Sequence, residues 1–197
     1  MKNVRFLLFL FSFISCDATD SEFRFQNSFP VGKDSNCISA KDCFSLDNDS
    51  NFFYTMCYSH NNGNKQSIDT VNDTDLLYGS TLNSFKLQEN NSYVILWKIK
   101  HEFTPSFNAY YVRNGKIIKI GEWGMFTPCE TCDIQDYSIE DVLIYQRNGK
   151  IEFLFSKDVE YIDYGEDIYR NNWVSYKAGT LTFSFDITNM ECSEEQK

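Results

Sequence analysis

Tyr111-Val112-Arg113-Asn114-Gly115-Lys116-Ile117 and Tyr145-Gln146-Arg147-Asn148-Gly149-Lys150-Ile151 are near-copies of one device, 34 residues apart. Each sets Asn-Gly between runs rich in aromatic and β-branched residues. A two-residue type I′ turn needs φ > 0 at both central positions, and Asn followed by Gly meets that need. The reading is two β-hairpins, one pairing 108–112 with 116–120, the other pairing 141–146 with 150–155. Two copies of a short turn are weak evidence for a repeat, because a good turn also recurs by chance.

Outward from these hairpins the pattern stays that of strands. Residues 93–100 (YVILWKIK) begin as a continuous apolar run and end alternating, and residues 85–87 alternate. At the far end Leu181, Phe183, Phe185 and Ile187 fall on one face, with Thr182, Ser184 and Asp186 on the other. Residues 159–164 and 173–176 are weaker strands, with a turn at Ala178-Gly179. Toward the N-terminus, 22–25 begins a first strand with Phe23 and Phe25 on one face, and 52–58 (FFYTMCY) reads as a buried strand. Asn61-Asn62-Gly63-Asn64 is a third turn signal. Residues 30–51 are rich in Asp, Ser and Asn and read as a stapled loop, and 70–75 as a polar stretch. Short helices are expected only at 75–78 and 138–142. No helix of crossover length separates the strands, and parallel pairing needs such crossovers. The chain should therefore be all-β and antiparallel: nine or ten strands in a single sandwich or partly open barrel built from hairpins and stapled by disulfides. Aromatics at 17%, with 18 Phe and 12 Tyr, suit strands and exclude a disordered chain.

Residues 1–16 stand apart. Lys2 and Arg5 form a basic start, 6–14 (FLLFLFSFI) an apolar centre, and Ser15 a small residue before Cys16. This is the pattern of a secretory signal peptide, and nine apolar residues fall short of the ~20 a membrane span needs. At Phe13-Ile14-Ser15-Cys16 the segment resembles a bacterial lipoprotein signal, departing from it at Phe13, where that pattern prefers Leu. The resemblance covers these sixteen residues alone. It implies lipidation at Cys16, and hence a membrane-anchored protein in the periplasm or at the cell surface. The alternative is ordinary cleavage near Cys16 or Ala18 and a secreted, soluble product. The expected organisation is signal peptide 1–16, tether 17–21, one β domain 22–192 and a C-terminal tail 193–197.

Six cysteines follow the signal: Cys37, Cys43, Cys57, Cys129, Cys132 and Cys192. An even number in an exported domain reads as disulfides, and six allow fifteen pairings. Cys129 and Cys132 fall in Thr127-Pro128-Cys129-Glu130-Thr131-Cys132, a spacing shared by redox dithiols, zinc sites and structural bridges. A redox pair wants a helix N-terminus in a βαβ setting, and zinc wants a second such pair. Neither is present in the sequence, which leaves structural disulfides.

The formal net charge is −10, and losing Lys2 and Arg5 with the signal leaves 16 cations against 28 acids, or −12. Such a field repels nucleic acid and favours either a basic partner or plain solubility. Glu160, Asp163, Glu166 and Asp167 (within EYIDYGED) concentrate that charge. They are candidates for contacting a basic protein, for protecting a sheet edge, or, as paired carboxylates, for acid–base or cation chemistry. Asp47-Asn48-Asp49-Ser50-Asn51 begins like a calcium loop, but Phe52 stands where Gly is needed and Tyr58 where Glu is. Asn48, Asn72 and Asn90 open N-glycosylation sequons, which matter only in a eukaryotic secretory route. His60 and His101 share no motif, and no Gly-x-Ser-x-Gly elbow accompanies them. Trp97, Trp123, Trp173, Tyr110 and Tyr111 are either sugar-stacking platforms or strand core.

No catalytic, metal or cofactor set emerges from these motifs. The expectation is a non-enzymatic binding module whose partner is a basic protein, in one form an inhibitor or immunity-type partner of a basic exported hydrolase. The alternatives are a carbohydrate-binding surface lipoprotein, which needs exposed tryptophans, and a thiol oxidoreductase using Cys129 and Cys132.

Overall fold

The computed structural model describes residues 20–31, 35–48, 53–72, 79–100, 105–127, 135–136, 138–163 and 172–188. They form fifteen strands: β1 (Ser21–Pro30), β2 (Asn36–Cys37), β3 (Asp42–Asn48), β4 (Phe53–His60), β5 (Gln66–Asn72), β6 (Thr81–Leu87), β7 (Tyr93–Lys100), β8 (Pro105–Arg113), β9 (Lys116–Thr127), β10 (Gln135–Asp136), β11 (Val142–Arg147), β12 (Lys150–Phe155), β13 (Val159–Asp163), β14 (Asn172–Tyr176) and β15 (Thr182–Asp186). A single 3-10 turn, Ile139–Asp141, occupies part of the 138–142 segment expected as a short helix. The expected helix at 75–78 lies outside the described residues. No helix of the described residues is long and apolar enough to cross a membrane.

One sheet runs β14-β13-β9-β8-β7-β6-β1-β11-β12-β15 and carries β10 on β9; a second runs β2-β3-β4-β5. Every pairing is antiparallel, as short connections demand. From β9 round to β15 the first sheet curls into a nearly closed barrel. The seam between its ends is made by side chains, with the Phe185 ring of β15 lying against Gly121 of β9. β13 and β14 extend the sheet beyond that seam from the far end of β9, where Glu160 and Tyr161 pair with Phe126 and Met125.

The Asn-Gly pairs make both hairpin turns: Asn114 and Gly115 take φ of 50° and 76°, Asn148 and Gly149 φ of 50° and 71°. The third turn signal is also a turn, but its left-handed residues are Asn61 and Asn62 (both φ 54°) rather than Gly63. Asn is the non-glycine residue that best tolerates that region, so the pair can act in place of Asn-Gly.

Strand β7 explains its own apolar run. Val94 and Leu96 point into the barrel with Phe23, Phe107, Tyr111, Ile144 and Phe153. Tyr93, Ile95, Trp97 and Ile99 point out, and the second sheet covers them with Phe44, Leu46, Tyr54, Met56 and Tyr58. A strand buried on both faces cannot alternate. The architecture is thus a barrel with a small sheet laid over part of its outer wall.

Two local expectations are corrected and one is refined. Residues 42–48 and 66–72 are strands, not loop and polar stretch, because the period-2 placement of Phe44 and Leu46 against Tyr58 and Met56 outweighs the Asp, Ser and Asn content. Phe23 and Phe25 lie on one face as expected, opposite Leu87 and Phe85, but Phe25 is 40% exposed and meets Phe85 edge-on at 5.5 Å. β1 pairs with β11 only over Ser21–Phe23, and beyond the bulge that follows Phe25 it stays paired with β6 alone. The strand count is fifteen rather than nine or ten, because short pieces such as β2 and β10 carry little pattern of their own.

Candidate functional site

The residues singled out from sequence are placed as follows. Cys37 and Cys43 are bonded, their Cα atoms 4.0 Å apart as direct cross-strand partners of β2 and β3. Cys57, expected to join a bridge, is instead a buried thiol. Its Sγ lies 3.7 Å from Asp47 Oδ2 and 3.7 Å from the carbonyl of Thr55. Cys16, Cys129, Cys132 and Cys192 lie outside the described residues, as do His101, Glu166 and Asp167. Glu160 lies in β13 and accepts a hydrogen bond from the Ser175 hydroxyl at 3.4 Å; Asp163 ends the same strand. Trp173 pairs with Ile162 in β14. Trp97, Trp123, Tyr110 and Tyr111 are core residues, each at most 4% exposed. Trp123 is packed among Phe107, Phe153, Phe155, Phe183 and Phe185.

Two polar centres emerge that composition did not reveal. The first is built on Asp42. The Ser39 hydroxyl accepts the backbone N–H groups of Lys41 and Asp42, turning the chain into β3, and the Cys37–Cys43 bond clamps that turn. Asp42 and His60 are cross-strand partners at the end of the β3–β4 ladder, on the face that buries Phe44 and Tyr58. The carboxylate accepts from Tyr58 OH at 2.5 Å, Ser39 Oγ at 2.7 Å and, with Nδ1 as donor, His60 at 2.7 Å. Burial would raise the Asp42 pKa, but these three hydrogen bonds and the His60 charge outweigh it and hold the carboxyl below its usual range. Burial first, then the Asp42 charge, drives the Tyr58 hydroxyl far up.

The His60 ring packs on the β8–β9 turn, where a Cβ on Gly115 would stand 2.7 Å from Cδ2. Around this contact lies a cavity of about 340 Å³ with mixed polar and apolar walls, lined by Lys41, Asp42, His60, Asn91, Val112, Asn114 and Gly115. Among the described residues no serine, threonine or cysteine lines it. The Asp42 carboxylate fixes the orientation of the His60 imidazole there.

The second centre joins the free edge of the overlying sheet to the barrel. Asp69 Oδ2 of β5 accepts from Asn108 Nδ2 at 2.8 Å, Tyr110 OH at 2.5 Å and Lys119 Nζ at 3.2 Å. Lys119 also meets Glu122 at 2.8 Å. Burial and then Asp69 push the Tyr110 hydroxyl far up. The Lys119 ammonium is opposed by burial, yet Glu122 and Asp69 together raise its pKa. No alternation or motif marks Asp69, which sits between Ile68 and Thr70 as an ordinary strand polar; only the pairing of the sheets gives it partners.

Cations on the outer wall are shared out in the same way. Arg147 meets Asp20 through Nε at 3.1 Å and Glu152 through Nη1 at 3.3 Å, with its guanidinium 4.5 Å from the Tyr145 ring centre.

Fold and polar centres together define an all-β, barrel-like protein with a disulfide-clamped second sheet. No family model, curated protein or solved structure matches the chain.

Proposed function

We propose that this protein is a non-enzymatic binding module, exported and held at a membrane surface by lipid at Cys16, whose partner is a basic protein. An inhibitor or immunity-type partner of a basic exported hydrolase is the concrete form of this reading. The observation that carries it is the acidic excess of the sequence, a formal net charge of −10. Lys119 and Arg147 each serve two carboxylates. Glu22 and Glu140 remain on the surface with no ion pair among the described residues. A net charge of one sign accelerates encounter with a partner of the opposite sign. The carbohydrate reading draws no support from Trp97, Trp123, Tyr110 or Tyr111, whose rings are packed in the two cores.

The test is affinity capture from the native envelope and secreted fraction at low and physiological salt, followed by mass spectrometry. Association kinetics are then measured with Glu160→Gln, Asp163→Asn, Glu166→Gln and Asp167→Asn combined. The expected partner is basic, its on-rate falls as salt rises, and the fourfold variant slows it. Partners without basic character, or an on-rate indifferent to salt, would overturn the reading. An on-rate that responds to salt but not to the variant would move the contact away from the β13 region. The intact mass of the mature protein decides the anchor: a lipid adduct at Cys16 is expected.

A further inference from the structure

From the cavity beside His60 we infer that the protein carries a binding site for a small oxyanion, a carboxylate or phosphate group. The cavity lies where the end of the β3–β4 ladder meets the β6–β7 and β8–β9 turns. Its volume of about 340 Å³ is at the small end of ligand sites.

Its walls do not share the net negative charge of the protein, since Lys41 stands there beside Asp42. Among the described residues Asp42 is the one acid lining it, and Tyr58, Ser39 and His60 already occupy both carboxylate oxygens. With Nδ1 donating to Asp42, Nε2 is the remaining polar atom of a ring that lines the cavity. Lys41 is exposed, lines the same cavity and enters no ion pair among the described residues. Asn91 and Asn114, held in left-handed turn geometry at φ of 52° and 50°, also line it. Arg113 and Lys116, cross-strand partners at the base of the Asn114-Gly115 turn, add base just outside. Glu89, two residues before Asn91, is engaged by the Ser21 hydroxyl at 2.7 Å. The Lys41 ammonium and the His60 imidazole at one concavity, with Asn91 beside them, form a donor set suited to oxygen anions. The net charge of −10 does not forbid it, because fields from exposed charges decay over about 8 Å at physiological ionic strength.

The site is preorganised. Asp42 fixes the imidazole from one side, the Gly115 turn limits it from another, and the Cys37–Cys43 bond braces the turn that carries Lys41. None of these features depends on the proposed protein partner, so the two readings stand or fall separately.

The experiment is an NMR titration of the full mature chain at constant ionic strength. The probes are inorganic phosphate, acetate, a short neutral peptide with a free C-terminal carboxylate, and the same peptide amidated, with chloride as the reference salt. Saturable shifts of the His60 ring and of the Asn91 and Asn114 side-chain amides are expected with at least one oxyanion probe. Lys41→Gln should weaken that binding by about tenfold or more, the loss expected for a charged hydrogen bond. Lys41 lies at an exposed turn, so this variant folds, and its unchanged amide spectrum elsewhere verifies that. Phosphate or acetate binding with no added affinity for the free-carboxylate peptide identifies a small dissolved anion. Preference for that peptide over its amidated twin identifies a chain terminus. Shifts that grow linearly with every salt, or binding that Lys41→Gln leaves intact, would overturn the inference.

Discussion

The tip of the Phe185 ring comes up against Gly121, so that a Cβ on Gly121 would stand 2.2 Å from Cζ. This contact is where the barrel closes without hydrogen bonds: β15 brings its aromatic face to β9 in place of a ladder. Gly121 sits at a bulge, pairing with Ala109 where the β8–β9 register shifts, and the bulge bends β9 toward the seam. Trp123 then stacks on Phe185 at 6.0 Å and on Phe183 at 5.2 Å, completing the wall.

Gly121→Ala should therefore destabilise the barrel by about 1–3 kcal/mol, the usual cost of overpacking. The Phe185 ring cannot swing away freely, because Trp123 and Phe153 pack against it. Chemical denaturation measures the loss, and Phe185→Ala in the same chain should recover part of it. Additive costs for the two changes would mean that the ring does not set the spacing at the seam.

Much of this fold is legible in residues that obey one rule at a time. Asn114-Gly115 and Asn148-Gly149 specify turns, and Leu181 to Ile187 alternate because one face meets the barrel core. Strand β7 was readable as buried but not as to what covers it, because its outer face meets a sheet made of segments that look like loop. The polar centres were hidden for a related reason. Apart from Ser39, Asp42 and Asp69 gain their partners from positions 16–50 residues away, and a lone Asp in a strand looks the same whether it faces water or Tyr110.

The β8–β9 turn supplies a second steric test. Gly115 and Gly149 occupy equivalent left-handed positions, and alanine strains both by about 1 kcal/mol. At Gly115 the added methyl also meets His60 Cδ2 at 2.7 Å. Gly115→Ala should cost more than this strain alone in thermal denaturation, and His60→Ala should recover the excess. A cost that His60→Ala leaves unchanged would show that His60 does not rest on the hairpin.

Asp42 makes stability depend on acid. Its carboxyl titrates below the usual range because three hydrogen bonds and His60 outweigh the effect of burial. A carboxyl depressed in the folded state stabilises fully above its unfolded pKa of about 4 and loses that contribution as pH falls through the folded value. Unfolding followed between pH 6 and 2 should thus show a steeper acid loss for the natural protein than for Asp42→Asn. Asp158 and Asp186, also held low by their own hydrogen bonds, act in both chains and cancel in the comparison. At pH 6 the variant should already be weaker by about 1–3 kcal/mol, since Asn cannot accept the same set of donors. Parallel pH curves would exclude Asp42 as the source.

The cysteines of the overlying sheet should separate cleanly by chemistry. Cys37 and Cys43 close a loop with a sequence separation of 6, so breaking the bond frees little chain entropy, about 2 kcal/mol. Its further effect is local, because the Ser39 turn inside that loop presents Lys41 and Asp42. Cys57 is 6% exposed and held near Asp47 and Thr55, and a thiol that reagent cannot reach does not react whatever its nucleophilicity. Alkylation of the native protein without reductant, followed by peptide mapping, should leave Cys57 unmodified and Cys37–Cys43 intact. Denaturation without reductant should then label Cys57 alone among these three. Mild reduction of the folded protein should open Cys37–Cys43, lower the melting temperature modestly and broaden the His60 ring signals while Cys57 stays protected. Rapid native labelling of Cys57, or its recovery in a bridged peptide, would contradict the packing of β4 between β3 and β5.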